Sequence, residues 1–154
     1  MKTYLILLLL LILPPCFAQS QIGSAINAGN PSNGFGFSNS FSLNADGDVI
    51  AVGYRALNKV QVYSYDTLLK KWVIYGVEIK GDDLTGFGGY VSISSNAKYL
   101  AIGAIYSSRT NKQVGETTIY EFKGNEWVEK GNSIEGVNEF DNSGIVSTRC
   151  DLSN

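Results

Sequence analysis

The chain has no histidine among its 154 residues. This absence excludes histidine zinc ligands and every nucleophile that a neighbouring imidazole would activate, such as a Ser-His or Cys-His pair. Charged residues make up only 17% of the sequence and the formal net charge is −2, so there is no basic surface for a nucleic-acid partner. Three prolines stand beside 17 glycines, nine tyrosines and seven phenylalanines, which favours an all-β chain with many tight turns.

The chain has two cysteines, and they lie in different parts of the sequence. Cys16 lies at the end of an N-terminal targeting segment, in which Lys2 precedes the apolar run Leu5–Leu13. This run is shorter than the roughly 20 residues that span a bilayer, and small residues follow it, so residues 1–18 are predicted to be a secretory signal peptide cleaved before Gln19. We therefore expect a secreted protein without a membrane anchor. The rival interpretation is a bacterial lipoprotein signal with Cys16 as the lipidated residue.

After cleavage, Cys150 is the one cysteine left, so the secreted domain has no internal disulfide. It is either a spare thiol or half of an intermolecular bond. Stability must then come from packing, for which a hydrophobic content of 44% is adequate.

An internal repeat organises the rest of the chain. The segments Gly36–Gly53 and Gly86–Gly103 align without a gap. A shorter Gly-x-x-Ile element occurs three times, at Gly23, Gly76 and Gly131. Repeats of this length are typical of architectures in which each repeat is one supersecondary unit that needs neighbours to bury its apolar faces.

Each copy of the repeat predicts four β-strands, because short runs of alternating or β-branched residues are separated by turn residues. Strands with apolar residues on both faces, such as Val49–Gly53, must be covered on both sides. The expected strands are 40–43, 49–53, 60–65 and 70–74 in the first copy, and 90–94, 99–103, 117–122 and 126–128 in the second.

The order of elements in the second copy resembles the FG-GAP repeat of integrin-α-type β-propellers. Phe87-Gly88 is followed by Ala101-Ile102-Gly103-Ala104, and a Trp and the Gly-x-x-Ile element come later. The first copy departs from this pattern, since Ser38 follows Phe37. The resemblance implies two four-stranded antiparallel blades of an incomplete propeller, at 36–85 and 86–136. An N-terminal loop and the end of a partial repeat (19–35) would precede them, and a degenerate third repeat (137–154) would follow.

Closed propellers have about four to eight blades, so two blades leave broad faces uncovered. Three arrangements are open: a fragment of a larger propeller, a ring completed by self-association, or eight strands that form a small sandwich. The expectation is that further repeats or other copies cover the faces of the blades.

Two groups of residues are candidate sites. Asn44, Asp46 and Asp48 surround Gly47 with oxygen side chains and form a candidate Ca²⁺ loop, and FG-GAP repeats often carry calcium loops at this place. The alternative is a plain hairpin turn, because the second copy lacks these carboxylates. The loop that begins at Tyr106 is the largest difference between the copies, which makes Tyr106, Arg109 and Lys112 the candidate partner-binding residues.

Other residues have simpler interpretations. Trp72 and Trp127 could stack on a sugar ring, but their matching repeat positions favour a packing role. Asp82-Asp83 and the later carboxylates are predicted to be solvated. Glu135, Glu139 and Asp141 belong to that later group.

The predicted function is therefore a non-catalytic, secreted repeat protein that binds a protein or carbohydrate surface, with no cofactor unless Ca²⁺ binds. The alternatives are a fragment of a secreted propeller hydrolase or lyase, and an inert truncated product.

Overall fold

The computed structural model of the chain describes residues 20–26, 40–82, 85–107 and 114–137. In these residues ten strands form two antiparallel sheets. Sheet 1 contains β1 (Phe41–Leu43), β2 (Val49–Tyr54), β3 (Lys59–Asp66), β4 (Lys71–Ile74) and β5 (Ile79–Lys80). Sheet 2 contains β6 (Phe87–Ile93), β7 (Tyr99–Ala104), β8 (Glu116–Lys123), β9 (Glu126–Glu129) and β10 (Ile134–Glu135). One short 3₁₀ turn, Arg55–Leu57, joins β2 to β3.

The expected all-β class and the eight expected strands are confirmed, with ends that differ by one to three residues. The described strands do not close into a barrel. The expected signal peptide and nearly all of the expected third repeat lie outside the described residues.

Both sheets have the same topology, a meander whose outer strand is split in two. In sheet 1 the order is β1-β2-β3-β4, and β5 also pairs with β3 further along its edge. Sheet 2 repeats this arrangement with β6-β7-β8-β9, and β10 pairs with β8. The Gly-x-x-Ile elements at Gly76 and Gly131 are the places where the outer strand resumes as β5 and β10. These two-residue strands were not expected, because so short a segment shows no alternation.

Matching hydrogen bonds show that the sequence repeat is also a structural repeat. The amide of Tyr65 donates to the carbonyl of Asp48 at 2.7 Å, and the amide of Phe122 donates to the carbonyl of Lys98 at 2.9 Å. A second pair joins the outer strand to its neighbour in each sheet: Tyr75 to Val62, and Lys130 to Ile119.

The core lies between the two sheets, which pack face to face. From sheet 1 it contains Ala51, Val60 and Val62, which lie on one face of the sheet by their register. From sheet 2 it contains Leu100 and Ile102, both at most 1% exposed. Burial of side chains of this size contributes roughly 1.5–3 kcal/mol each. The other members of the cluster are Val49, Ile79, Phe87, Ile93, Ala97, Ala104, Tyr120 and Trp127.

The contact joins unlike faces of the two repeats. In the repeat alignment Ala51 corresponds to Ala101, but the residues of β7 that face sheet 1 are its neighbours Leu100 and Ile102. Adjacent residues of a strand point to opposite faces. The inner face of sheet 2 therefore corresponds to the outer face of sheet 1, so the two sheets stack in the same sense, like successive units of one array.

Glycines and serines allow β6 to lie close to sheet 1. A Cβ atom on Gly53 would lie 2.0 Å from the carbonyl oxygen of Gly88, so only glycine fits there. The hydroxyl of Ser40 donates to that same carbonyl at 3.1 Å, and the hydroxyl of Ser42 accepts from the amide of Ile93 at 3.1 Å. These bonds satisfy backbone groups of β6 that no strand of its own sheet pairs.

Candidate functional site

Tyr106 is the one expected partner-binding residue that the structure describes, and it is paired with an arginine. The Arg55 guanidinium lies 4.9 Å from the centre of the Tyr106 ring, and its Nη2 donates a hydrogen bond to the Tyr106 hydroxyl. The tyrosine side chain is 43% exposed. Arg109 and Lys112 lie outside the described residues. A cation over an aromatic ring contributes about 0.5–1 kcal/mol at an exposed site. This contact favours one arrangement of the Arg55 and Tyr106 side chains.

Backbone contacts from three segments hold this pair in place. Asn58, which ends the 3₁₀ turn in the left-handed region with φ 47°, accepts from the amides of Gly86 and Phe87 through its side-chain oxygen. The amide of Tyr106 donates to the carbonyl of Thr85 at 2.8 Å. The turn after β2, the segment before β6 and the segment after β7 therefore meet at one end of the sheets, which we call the loop end.

The loop end presents two residue types that are suited to recognition. An arginine fork binds carboxylates and the tyrosine ring offers an apolar surface with a polar tip, and both residue types are enriched at the centres of binding interfaces. Sequence reasoning missed Arg55 and Asn58. Arg55 is 51 positions from Tyr106, and nothing in the local pattern links them.

The candidate Ca²⁺ loop is a hairpin turn in which the Asn44 side chain makes three hydrogen bonds. Its side-chain oxygen accepts from the amides of Asp48 and Val49 at 3.0 and 2.9 Å, and its side-chain nitrogen donates to the Asp48 carboxylate at 2.7 Å. Asn44 is buried, whereas Asp46 and Asp48 are exposed. The Asn44 side-chain oxygen therefore accepts hydrogen bonds from two backbone N–H groups of its own hairpin. This arrangement fixes the turn, and we call it a turn lock.

The second copy forms the same lock with a different residue. Ser94 takes the place of Asn44, and its hydroxyl accepts from the amides of Lys98 and Tyr99 at 3.1 and 2.9 Å. The same hydroxyl donates to the Asn96 side chain at 2.8 Å. A buried oxygen that satisfies two amides is therefore the feature the two turns share. Among the described residues, no group of three or more Asp, Glu, Cys or His side chains could hold a metal ion.

Each tryptophan belongs to an aromatic group against which a glycine packs. Trp72 lies edge-on to Tyr65 at 5.4 Å between ring centres, and Trp127 lies 5.0 Å from Phe122. In addition, Tyr75 from sheet 1 stacks on Phe122 at 4.3 Å, so the second group extends across the two sheets. For Trp127, which is only 9% exposed, a packing role fits this geometry better than sugar stacking, whereas Trp72 is half-buried.

A cluster of charges covers one end of the outer face of sheet 2. The Glu121 carboxylate lies within 4.0 Å of the amino groups of Lys98, Lys123 and Lys130. The hydrogen bond from Lys123 is the main reason that the pKa of Glu121 lies below its usual value, although partial burial opposes it. The Lys130 amino group also lies 4.3 Å from the centre of the Tyr99 ring.

The remaining carboxylates do not form a catalytic pair among the described residues. Asp82 and Glu135 are exposed, while Asp83, Glu139 and Asp141 lie outside the described residues. Within the same residues, no helix has the length and apolar character that a membrane crossing requires.

Comparison with known proteins adds no relative. No family model, no curated protein and no solved structure matches the chain. The interpretation of the loop end therefore depends on its own residues and their geometry.

Proposed function

We propose that the chain is a secreted, non-catalytic repeat module of the FG-GAP type, whose two sheets are propeller blades and whose loop end binds a protein or carbohydrate partner. The observation that carries the proposal is the Arg55–Tyr106 pair. An exposed aromatic ring is held by a cation at a point where three connecting segments meet on a rigid β scaffold. Such positions are where β proteins place recognition residues.

The chemistry of the pair favours a ligand that carries a carboxylate beside an apolar group. The guanidinium binds the carboxylate and the tyrosine ring packs against the apolar part. An acidic peptide segment and a glycan that contains uronic acid both have this combination. Binding of such a ligand by Arg55 and Tyr106 needs no general acid or general base of the kind that a hydrolase or lyase uses.

The test is a binding measurement with immobilised protein against two probes of matched charge. The first probe set consists of acidic peptides that have a tyrosine or leucine beside the carboxylates. The second consists of uronic-acid oligosaccharides. Neutral forms of both sets are the controls. The Tyr106→Ala and Arg55→Ala variants are expected to weaken binding of the true ligand class by about tenfold or more, since each removes a central contact. A Lys123→Ala variant serves as the matched control, because Lys123 ends β8 at the opposite end of the sheet.

Two results would contradict the proposal. Binding that both loop-end variants leave unchanged would place the ligand elsewhere. Cleavage of a probe during the measurement would favour the alternative, a fragment of a hydrolase or lyase. Secretion is tested separately, by N-terminal sequencing of the mature protein, which is expected to begin at Gln19.

A further inference from the structure

Sheet 1 has an aromatic pair near the end of β3 that lies away from the loop end. Tyr65 and Trp72 are register partners on β3 and β4, and their rings lie edge-on with 5.4 Å between the centres. Both residues are half-buried. Aromatic side chains at directly opposite positions of two strands form a rigid apolar surface, which suits them to hold another segment of chain.

Sheet 2 has an equivalent pair, and its contacts show what such a pair holds. Phe122 and Trp127 are register partners on β8 and β9, with 5.0 Å between the ring centres. Gly76 packs on both rings, because a Cβ atom there would lie 2.8 Å from Phe122 and 3.1 Å from the indole nitrogen of Trp127. Its φ of 79° lies in the region that favours glycine. The pair therefore selects glycine by both space and backbone conformation.

The pair in sheet 1 also has a glycine against it, from the N-terminal segment 20–26, which we call the strap. A Cβ atom on Gly23 would lie 3.0 Å from the Tyr65 ring and 3.3 Å from the Trp72 ring, and the φ of this glycine is 72°. Gly23 and Gly76 each begin a Gly-x-x-Ile element. Two copies of one element thus lie on two copies of one aromatic pair, which identifies the sequence pattern that the pair recognises.

The residue before the glycine differs between the two elements. Tyr75 stacks on Phe122 with 4.3 Å between the ring centres. The strap has Ile22 at the corresponding position, and this residue is 67% exposed. Stacked aromatic rings contribute more than the area that they bury. The strap therefore lacks the contact that an aromatic residue at this position would make with Tyr65, the counterpart of Phe122.

The strap is also held less firmly than the element that begins at Gly76. Among the described residues, no backbone hydrogen bond joins the strap to sheet 1. The Gly76 element, in contrast, continues into β5, which pairs with β3, and the amide of Tyr75 donates to the carbonyl of Val62 at 2.9 Å. Ile79 at the end of that element is buried, whereas Ile26 of the strap is half-buried. The strap is therefore the weaker occupant of the two.

We propose that the Tyr65–Trp72 pair is a peptide-binding site whose ligand is a segment of a partner protein with an aromatic residue directly before a glycine and an isoleucine three positions after it. Such a segment displaces the strap, because its aromatic ring stacks on Tyr65 where Ile22 stays largely exposed. The site lies near the other end of β3 from Arg55, so the proposal is independent of the ligand at the loop end.

The ligand comes from a different protein rather than from a second copy of this chain. The segment 75–79 has the required pattern, but its glycine and isoleucine are buried within its own copy. The strap competes with the ligand from within the same chain, so a free peptide must overcome the advantage of the tether. We therefore expect the natural protein to bind such a peptide weakly, and a variant with a weakened strap to bind it more tightly.

The experiment measures the binding of synthetic peptides to the purified full chain by calorimetry. The probe has the sequence of residues 74–81 and blocked ends. A first control peptide carries Gly76→Ala and is expected to bind at least about tenfold more weakly, because its methyl group meets the two rings. A second control peptide carries Tyr75→Ile, as in the strap, and is expected to bind about twofold to tenfold more weakly because it loses the stacked ring.

Two variants of the protein weaken the strap. Gly23→Asn keeps the left-handed backbone but adds a side chain that meets Tyr65 and Trp72, and it is expected to bind the probe at least about tenfold more tightly than the natural protein. Ile26→Ala shortens the other end of the element without a clash and is expected to act in the same direction. Gly47→Asn is the matched control, because its φ is 71° and a Cβ atom there would meet no described residue within 4 Å.

A further substitution locates the site. Trp72→Ala, added to Gly23→Asn, is expected to weaken binding of the probe by about tenfold or more, with circular dichroism confirming that each variant is folded. The proposal is overturned if the folded Gly23→Asn and Ile26→Ala variants bind the probe no more tightly than the natural protein does. It is equally overturned if the Gly76→Ala peptide binds as tightly as the probe, or if the folded Trp72→Ala variant binds the probe unchanged.

Discussion

Gly76 packs directly against Trp127: a Cβ atom on the glycine would lie 3.1 Å from the indole nitrogen. The glycine belongs to sheet 1 and the tryptophan to sheet 2, so the contact joins the two repeats at their outer strands. The indole N–H is buried with no hydrogen-bond partner among the described residues, so the contact is one of packing alone. It places a backbone element of one repeat on an aromatic pair of the next.

The close approach of Gly53 to β6 predicts a severe effect of adding one methyl group. Gly53→Ala would place a Cβ atom 2.0 Å from the Gly88 carbonyl oxygen, so the sheets must separate. We expect a loss of about 3 kcal/mol in the free energy of unfolding. Denaturant unfolding measures this loss. Gly47→Ala is the control, because its Cβ atom would meet no described residue within 4 Å and the substitution costs backbone strain.

The two turn locks each predict a loss of stability. Asn44→Ala removes the side-chain acceptor of the amides of Asp48 and Val49. Ser94→Ala removes the acceptor of the Tyr99 amide and one of two acceptors of the Lys98 amide, which also donates to the Asn96 side chain. Each substitution is expected to lower the free energy of unfolding by about 1–3 kcal/mol, the cost of unsatisfied donors. Equal stability of either variant and the natural protein would show that the turn does not depend on the lock.

The role of Asn44 in the turn also bears on metal binding. Since its oxygen accepts two amide hydrogens, we expect the 44–48 segment to fold without Ca²⁺. A chelator should leave the melting temperature unchanged, and added Ca²⁺ should not raise it. A rise with Ca²⁺ that Asp46→Ala and Asp48→Ala both abolish would instead support the Ca²⁺ loop considered from the sequence.

The Lys59–Glu78 pair predicts a pH-dependent contribution to stability. Their charged atoms are 2.7 Å apart, and the hydrogen bond from Lys59 is the main reason that the pKa of Glu78 is lowered from its ordinary value of 4.5. Because folding lowers the pKa of Glu78, the pair contributes its full stabilisation above the ordinary pKa of 4.5. This contribution is lost as the pH falls through the lowered pKa of the folded protein. The pair is partly solvated, so the effect is small.

Glu78→Gln is accordingly expected to lower the free energy of unfolding at pH 7 by about 0.5–1 kcal/mol. Below the lowered pKa the variant and the natural protein should be equally stable. Urea unfolding at several pH values measures both. Lys80→Ala is the control, because Lys80 is 3.6 Å from the same carboxylate and 76% exposed, so its removal should have less effect. A difference that stays constant down to acid pH would contradict the ion-pair account.

The strands could be predicted because local pattern determines them. Alternation in 40–43 and the Asp46-Gly47 turn specify a hairpin without any distant contact. The short strands β5 and β10 could not, since they form only because β3 and β8 have outer edges for them to pair with. Whether β5 and β10 form depends on the register of the sheet and on the spacing of the repeat. A segment of two residues contains neither kind of information.

The candidate site was only partly predictable for a related reason. Tyr106 could be selected because it begins the segment in which the two copies differ. Arg55 could not, because its contact with Tyr106 depends on how the 3₁₀ turn packs against the segment before β6, which Asn58 fixes through its side-chain oxygen. The calcium hypothesis rests on residue types and on the FG-GAP resemblance, whereas the hydrogen bonds of Asn44 depend on the geometry of the hairpin.

The stacking of the repeats is the central claim, and the glycines of the three Gly-x-x-Ile elements test it most directly. Their φ values of 72°, 79° and 76° are alike, so alanine causes the same backbone strain at each position. Among the described residues, Gly23 and Gly76 contact an aromatic pair and Gly131 does not. In denaturant unfolding, we expect Gly76→Ala to lower the free energy of unfolding by about 1–3 kcal/mol more than Gly131→Ala, with Gly23→Ala in between. Equal losses at all three positions would contradict the stacking.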